Sequence, residues 1–407
     1  MVNIQISALL AIPLVAVLAP LLSSLLGRFV KIPLVVFEIV LGLLIGPSIL
    51  GWVQPTEFTE KLSDFGLAML FFLAGNEIDF ERIRGRALNR SIVGWLISLV
   101  AGVAVGLLIA PTPGAGVFVG IALTSTALGT LMPVLRDAGE LRTPFGTSII
   151  AIGAVGEFGP LIAISLFLSG TSPGVATIVL AAFVLITAGA IYLASRGTHH
   201  RLHALINATL HTSGQFAVRM VVLLLTSLVA LSLALDLDML LGAFAAGVIA
   251  KLLLADATPR DAEIIEGKVE ALGFGFFVPV FFIFTGVTFD LQALLDSTTA
   301  MLLLPVFVVL LLLVRGLPGM LSAPAGSVGA DKRATVLFSA TGLPIIVAVT
   351  GIGVEAGYLE PGMASALVGA GMLSVLLFPL LALGQHRRAV DGAPKPPDQD
   401  PAIVEEG

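Results

Sequence analysis

Few residues in this sequence could do chemistry, and the most conspicuous is a lone carboxylate. The segment TSIIAIGAVGEFGPLIAISLFLSG carries Glu157 near its centre and no other charge. A carboxylate at mid-membrane costs about 2.5–3.5 kcal/mol on insertion scales, so such a residue reads as a functional site or part of an ion pathway. Gly156, Gly159 and Pro160 flank it; glycine permits close backbone approach and proline distorts the helix. Away from water the bare carboxylate is disfavoured, so Glu157 could be neutralised by either a proton or a monovalent cation. Mutually exclusive binding of the two, combined with alternating access, is sufficient for exchange.

Arg315 sits near the middle of another apolar segment. Unpaired, it would be as costly as the Glu; its candidate partners are Glu157 and the carbonyl ends of a broken helix. A guanidinium does not release a proton in this setting, so Arg315 is read as an electrostatic or structural support rather than a second proton carrier. Two hydroxyl-bearing strings add to the pattern: Thr124-Ser125-Thr126-Ala127-Leu128-Gly129 followed by Pro133, and Thr341-Gly342-Leu343-Pro344. Proline removes a backbone donor and glycine adds freedom, so both helices are expected to unwind near mid-membrane, where freed backbone is tolerated only beside protein or a water-filled cavity. Two broken helices in matching positions are the best sequence pointer to a binding site.

Other chemistries find no support. The chain has no Cys and five His, of which His199, His200, His203 and His211 cluster in a connecting segment and His386 lies towards the end. Neither thiolate chemistry nor a buried His metal centre is expected. There is no HExxH, no GxSxG, no aspartate pair and no Gly-rich phosphate loop beside a Lys, so neither an enzyme nor a cofactor is expected. A net charge of -6 leaves no basic footprint for nucleic acid.

The elements that must position these residues follow from composition. Of 407 residues 57% are apolar and 12% charged, about half the charged share of a soluble domain. A window of about 20 residues per crossing gives thirteen spans, at 5–27, 32–50, 62–78, 90–110, 115–134, 144–169, 174–195, 215–235, 238–255, 270–289, 299–323, 334–353 and 362–384. The first is read as a retained span, because it lacks a basic n-region and a small-residue cleavage site. Eighteen of the 21 Lys and Arg fall in alternate connections; Lys61 alone lies in the opposite loops, and Arg219 and Arg315 lie inside spans. By the positive-inside rule this places the N-terminus outside and the C-terminus in the cytoplasm of a multi-pass inner-membrane protein. Glu38 and Arg219, one to two turns from that face, are expected to snorkel. Asp64, Asp236 and Asp238 read as solvated charges at the outer edge.

Phe71-Phe72-Leu73-Ala74-Gly75-Asn76-Glu77-Ile78-Asp79 resembles Phe282-Ile283-Phe284-Thr285-Gly286-Val287-Thr288-Phe289-Asp290, and Ser125-Thr126-Ala127-Leu128 resembles Ala340-Thr341-Gly342-Leu343. Both pairs are seven spans apart. An odd number inverts the repeat across the membrane, as in secondary transporters. The organisation expected is one membrane unit over 1–385, with a first repeat at 5–169, a connector at 174–195 and a second repeat at 215–384, followed by a disordered tail at 386–407.

The strings GPSILGW at 46–52, FFLAGNEID at 71–79, TSTALGTLMPVL at 124–135, FFVPVFFIFTG at 276–286, VRGLP at 314–318 and SATGLPIIVAVT at 339–350 resemble, in order and spacing, the monovalent cation:proton antiporter-2 family of sodium/hydrogen exchanger-like transporters. The resemblance covers residues 10–384. It implies an all-α fold of thirteen transmembrane helices in two inverted repeats with crossed broken helices. It also implies a homodimer joined through spans 1, 2, 8 and 9, with spans 3–6 and 10–13 as a moving core. The family's ion-binding carboxylate, usually Asp in an Asn-Asp or Asp-Asp pair, falls on Gly156-Glu157; its broken-helix hydroxyls fall on Thr124, Ser125, Thr126 and Thr341; its basic residue falls on Arg315. Glu38 and Glu77 are further electrostatic supports. With Gly156 in place of a polar partner and Arg315 where some members carry Lys, one proton carrier remains, which implies electroneutral exchange of one proton for Na+ or K+. An organic-anion symporter or uniporter on the same fold is the alternative.

Overall fold

A computed structural model describes residues 6–26, 32–78, 80–167, 173–196, 215–254 and 258–391, and all regular structure among them is helical. The readings made for Arg28, Lys31, Asp79, His199, His200, His203, His211, Arg201, Lys395 and the chain after Asp391 lie outside the described residues. In chain order the helices of ten residues or more are α1 Ile6–Leu26, α2 Leu34–Ile45, α3 Glu57–Glu77, α4 Arg86–Ile109, α5 Pro113–Ala122, α6 Leu128–Asp137, α7 Pro144–Phe167, α8 Pro173–Arg196, α9 Phe216–Ala234, α10 Met239–Leu254, α11 Pro259–Leu272, α12 Val278–Thr288, α13 Thr298–Leu310, α14 Gly329–Ser339, α15 Pro344–Glu355 and α16 Pro361–Asp391. Among the described residues, eight helical stretches, one of them taking in both α14 and α15, are long and apolar enough to cross a membrane.

Each expected span falls on helix, though several differ from a single uninterrupted rod. Span 2, expected to reach residue 50, ends at Ile45, because Gly46 turns to an extended conformation ahead of Pro47; the helical region is sterically disfavoured for the residue before a proline. Span 10 joins α11 to α12 through a widened π-helical turn at Gly273–Phe277, and span 11 continues α13 through another at Leu311–Gly316. A proline follows each, Pro279 and Pro318, and its ring cannot donate to the carbonyl four residues back and clashes with it. Span 13 does not stop at residue 384 and give way to a disordered tail at 386. α16 runs on to Asp391, with His386 buried against Phe145, ring centroids 4.0 Å apart. Its Nδ1 lies 2.8 Å from Asp331 Oδ1 and its Nε2 3.0 Å from Glu140 Oε1, which tethers this end of the helix to α14 and to the turn before α7.

The internal repeat appears as reciprocal packing. A Cβ on Gly75 of α3 would strike the backbone of Phe244 in α10, and one on Gly286 of α12 would strike that of Ile39 in α2. Likewise Gly247 of α10 abuts Phe72 of α3, and Gly42 of α2 abuts Ile283 of α12. The first repeat's partners and the second's are therefore exchanged, and small residues let the paired backbones touch where lipid offers no hydrophobic drive for association.

Candidate ion-binding site at two crossed, interrupted helices

The two interruptions meet inside the bundle. α5 ends at Ala122 and α6 begins at Leu128, while α14 ends at Ser339 and α15 begins at Pro344. In the second break Pro344 occupies the first turn of α15, where its missing donor costs nothing. In the first, Pro133 is not the breaker expected, since it lies within α6. The unwinding falls instead on the hydroxyl string: Thr124 Oγ1 donates to the Ile121 carbonyl at 2.8 Å and Ser125 Oγ to the Ala122 carbonyl at 2.9 Å. Such local bonds offer the backbone an alternative to the helical ladder. Freed amides are then satisfied across the crossing, Ala127 N–H by the Thr341 carbonyl at 2.8 Å and Thr126 N–H by the Gly156 carbonyl at 3.0 Å.

Glu157 is 1% exposed and faces the start of α6. Its Oε1 lies 3.4 Å from the Gly129 N–H, while its Oε2 is buried with no hydrogen-bond partner. The first amides of a helix carry a partial positive charge, so this end of α6 favours a carboxylate without neutralising it. A buried acceptor left open in this way is suited to a small cation or a proton.

Arg315 is also 1% exposed, yet it does not pair with Glu157. Its Nε donates to Thr126 Oγ1 at 2.7 Å and its Nη2 to the Ile152 carbonyl at 2.8 Å. Thr126 in turn donates to the Ser339 carbonyl at 2.6 Å. One hydroxyl thus ties the first break, the widened turn carrying Arg315 and the edge of the second break into a single network. Gly156 makes this possible: a Cβ there would lie 2.5 Å from Arg315 Nη2 and 2.6 Å from Thr126 Oγ1.

Thr341 Oγ1 donates to the Leu337 carbonyl at 3.0 Å, so Thr124, Ser125 and Thr341 spend their protons on their own helices and keep acceptor lone pairs. Glu38 does not snorkel. It is 3% exposed and faces a cavity of about 530 Å³ that reaches from Arg387 at the rim to Gly129 and Thr130 beside the site. Glu77 closes α3 with a buried, unpartnered Oε2. Arg219 is exposed in the first turn of α9; Asp64 pairs with Lys61 at 3.2 Å, and Asp238 caps α10 through the Leu240 N–H at 2.8 Å.

Two participants escaped sequence reasoning. The carbonyl of Ile152 has no signature in a side-chain string. Ser374 of α16 clamps the second break, accepting from the Gly342 N–H at 3.1 Å while its own proton goes to the Gly371 carbonyl at 2.7 Å; an isolated Ser in an apolar span was its only signal.

Against known proteins, residues 14–383 match the model of the transmembrane sodium/hydrogen exchanger family. The chain is 26% identical to the Na+/H+-K+ antiporter GerN of Bacillus cereus over 85% of its own length and 88% of that protein. It is 26% identical to the putative Na+/H+ antiporter YjbQ of Bacillus subtilis over 95% of its length, and spans 64% of that longer relative. The solved structure of the sodium proton antiporter MjNhaP1 from Methanocaldococcus jannaschii at pH 8 shares the fold, with a TM-score of 0.64 at 17% identity, covering 95% of this chain and 98% of that one. These relatives are named as transporters rather than enzymes, and the chain shares the all-helical antiporter fold expected from the sequence, with eight rather than thirteen stretches of crossing length among the described residues. A buried carboxylate beside two crossed breaks, in a polytopic helical chain matched almost end to end, makes this protein a member of the sodium/hydrogen exchanger family of membrane antiporters.

Proposed function

We propose that the protein exchanges a monovalent cation, Na+ or K+, for a proton by alternating access, with Glu157 as the shared binding site. The observation that carries this reading is the open Oε2 of Glu157 at the crossing of the breaks, with the Glu38-lined cavity ending at its neighbours Gly129 and Thr130. The ion is the substrate: Glu157 would hold it, and the lone pairs of Thr124, Ser125 and Thr341 supply further oxygens. Thr126 and Arg315 position the site, since their donors are already committed to each other and to the backbone. Gly156 leaves them room, and Glu38 and Glu77 bias the cavity and the site towards cations.

With Gly156 beside it, Glu157 has no second carboxylate in the usual pair, and Arg315 holds its protons, so one proton leaves per cation entering and exchange is electroneutral. The protein acts as a homodimer in a cell membrane, N-terminus outside and C-terminus in the cytoplasm, as the Lys/Arg distribution supports. An organic-anion carrier is less well supported, because Arg315 is engaged inward rather than open to a ligand. The test is cation-driven proton flux in proteoliposomes against Li+, Na+, K+ and Rb+. Glu157→Gln should abolish flux while the folded protein is retained; flux that survives, or a transport current that responds to voltage, would overturn the assignment or its stoichiometry respectively.

A further inference from the structure

One end of the bundle carries a second polar feature that the transport site does not use. Two adjoining clefts, of about 590 and 350 Å³, share walls formed by Arg86 and Arg90 of α4 and by the turn Ala323–Pro324–Ala325. Lys332 of α14 lines the first and Arg142, in the turn before α7, the second. Four cations from three separate parts of the chain therefore surround one composite cleft, and no Asp or Glu lines it.

Arg90 donates to the Leu321 carbonyl at 3.3 Å. Among the described residues, the side chains of Arg86, Arg142 and Lys332 form no hydrogen bond or ion pair. The acidic neighbours that could have neutralised them, Glu140 and Asp331, are both drawn to His386. The first cleft is also lined by exposed apolar side chains: Val93, Met320 and Leu321 are 52%, 41% and 45% exposed. A free anion would use the charges and gain nothing from that wall. A molecule with a negative head and a hydrocarbon tail uses both, and basic pockets between membrane helices have this recognition chemistry.

We propose that this cleft binds an anionic phospholipid, its phosphate held among Arg86, Arg90, Arg142 and Lys332 and an acyl chain lying along Val93, Met320 and Leu321. Arginine's planar fork suits bidentate phosphate contact, and the bound lipid would bridge α4, the turn before α7 and α14.

The test is native mass spectrometry of the purified full chain in detergent, titrated with dioleoylphosphatidylglycerol or dioleoylphosphatidylcholine. The wild type should retain the anionic lipid at least tenfold more tightly. Each cation near a membrane anion contributes about a fivefold factor, so the triple variant Arg86→Gln, Arg142→Gln, Lys332→Gln should weaken retention on the order of a hundredfold. Arg84→Gln, in the turn just before α4 and outside the cleft, should leave it unchanged. Exchange in phosphatidylcholine vesicles reports whether the triple variant folds; if it does not, Arg142→Gln and Lys332→Gln singly should each lower retention about fivefold. The proposal is overturned by equal retention in the cleft variants and wild type, by an equal loss in Arg84→Gln, by equal retention of phosphatidylcholine, or by displacement of the lipid with millimolar inorganic phosphate.

Discussion

Removing one hydroxyl should loosen the whole crossing. Thr126 Oγ1 accepts from Arg315 Nε at 2.7 Å and donates to the Ser339 carbonyl at 2.6 Å, with no solvent exposure. Thr126→Val keeps the shape and deletes both bonds. A bond to a charged donor is worth about 1.5–3 kcal/mol and a neutral one about 0.5–1.5 kcal/mol, so the loss is about 2–4.5 kcal/mol, and Arg315 keeps only the Ile152 carbonyl. Thr126→Ser keeps both bonds and loses one methyl, about 1 kcal/mol. The assay is denaturant unfolding of the purified protein in detergent, with the order wild type, Ser, Val. A double-mutant cycle sharpens it: on an Arg315→Gln background the first bond is already gone, so Thr126→Val should cost less there by about 1.5–3 kcal/mol. Exchange in proteoliposomes should fall with Val in turnover more than in half-saturating cation concentration, because the residue positions Arg315 rather than holding the ion. Equal stability of the Val and Ser variants, or additive costs of Thr126→Val and Arg315→Gln, would refute the network.

The other expectations are briefer. Gly156→Ala should displace Arg315, since its Cβ would lie 2.5 Å from Nη2; overpacking of this kind costs about 1–3 kcal/mol, and both unfolding midpoint and exchange should drop, an unchanged midpoint arguing against the close approach. His386→Ala removes the contacts to Asp331 and Glu140 and the stack on Phe145, a loss of about 2–4 kcal/mol. It should release amide exchange in the segments around Glu140 and Asp331, and unaltered protection there would show that the tether holds nothing.

Much of the molecule was legible in the sequence because membranes impose simple rules. Apolar stretches of crossing length and the segregation of eighteen cations required a polytopic helical bundle, and a charge in the middle of a span, as at Glu157 or Arg315, stands out against so few others. The recurrence of Phe-Phe-Leu-Ala-Gly with Phe-Ile-Phe-Thr-Gly was readable as a repeat and reappears as reciprocal packing of Gly75 and Gly286.

What the sequence could not decide was who bonds to whom. From the sequence, Glu157 and the carbonyl ends of a broken helix were both candidate partners for Arg315; the fold sends Arg315 to Thr126 and Ile152 and leaves Glu157 half-satisfied at the start of α6. Glu38 looked close enough to an interface to reach water, but it lies on the buried face of α2 and lines a cavity, and His386 looked like part of a tail but is packed on Phe145. Composition and periodicity report how much each residue costs to bury, which is a property of one side chain. Partners, cavities and the exact place where a helix unwinds depend on backbone atoms brought together from segments more than two hundred residues apart, and only the tertiary structure brings them together.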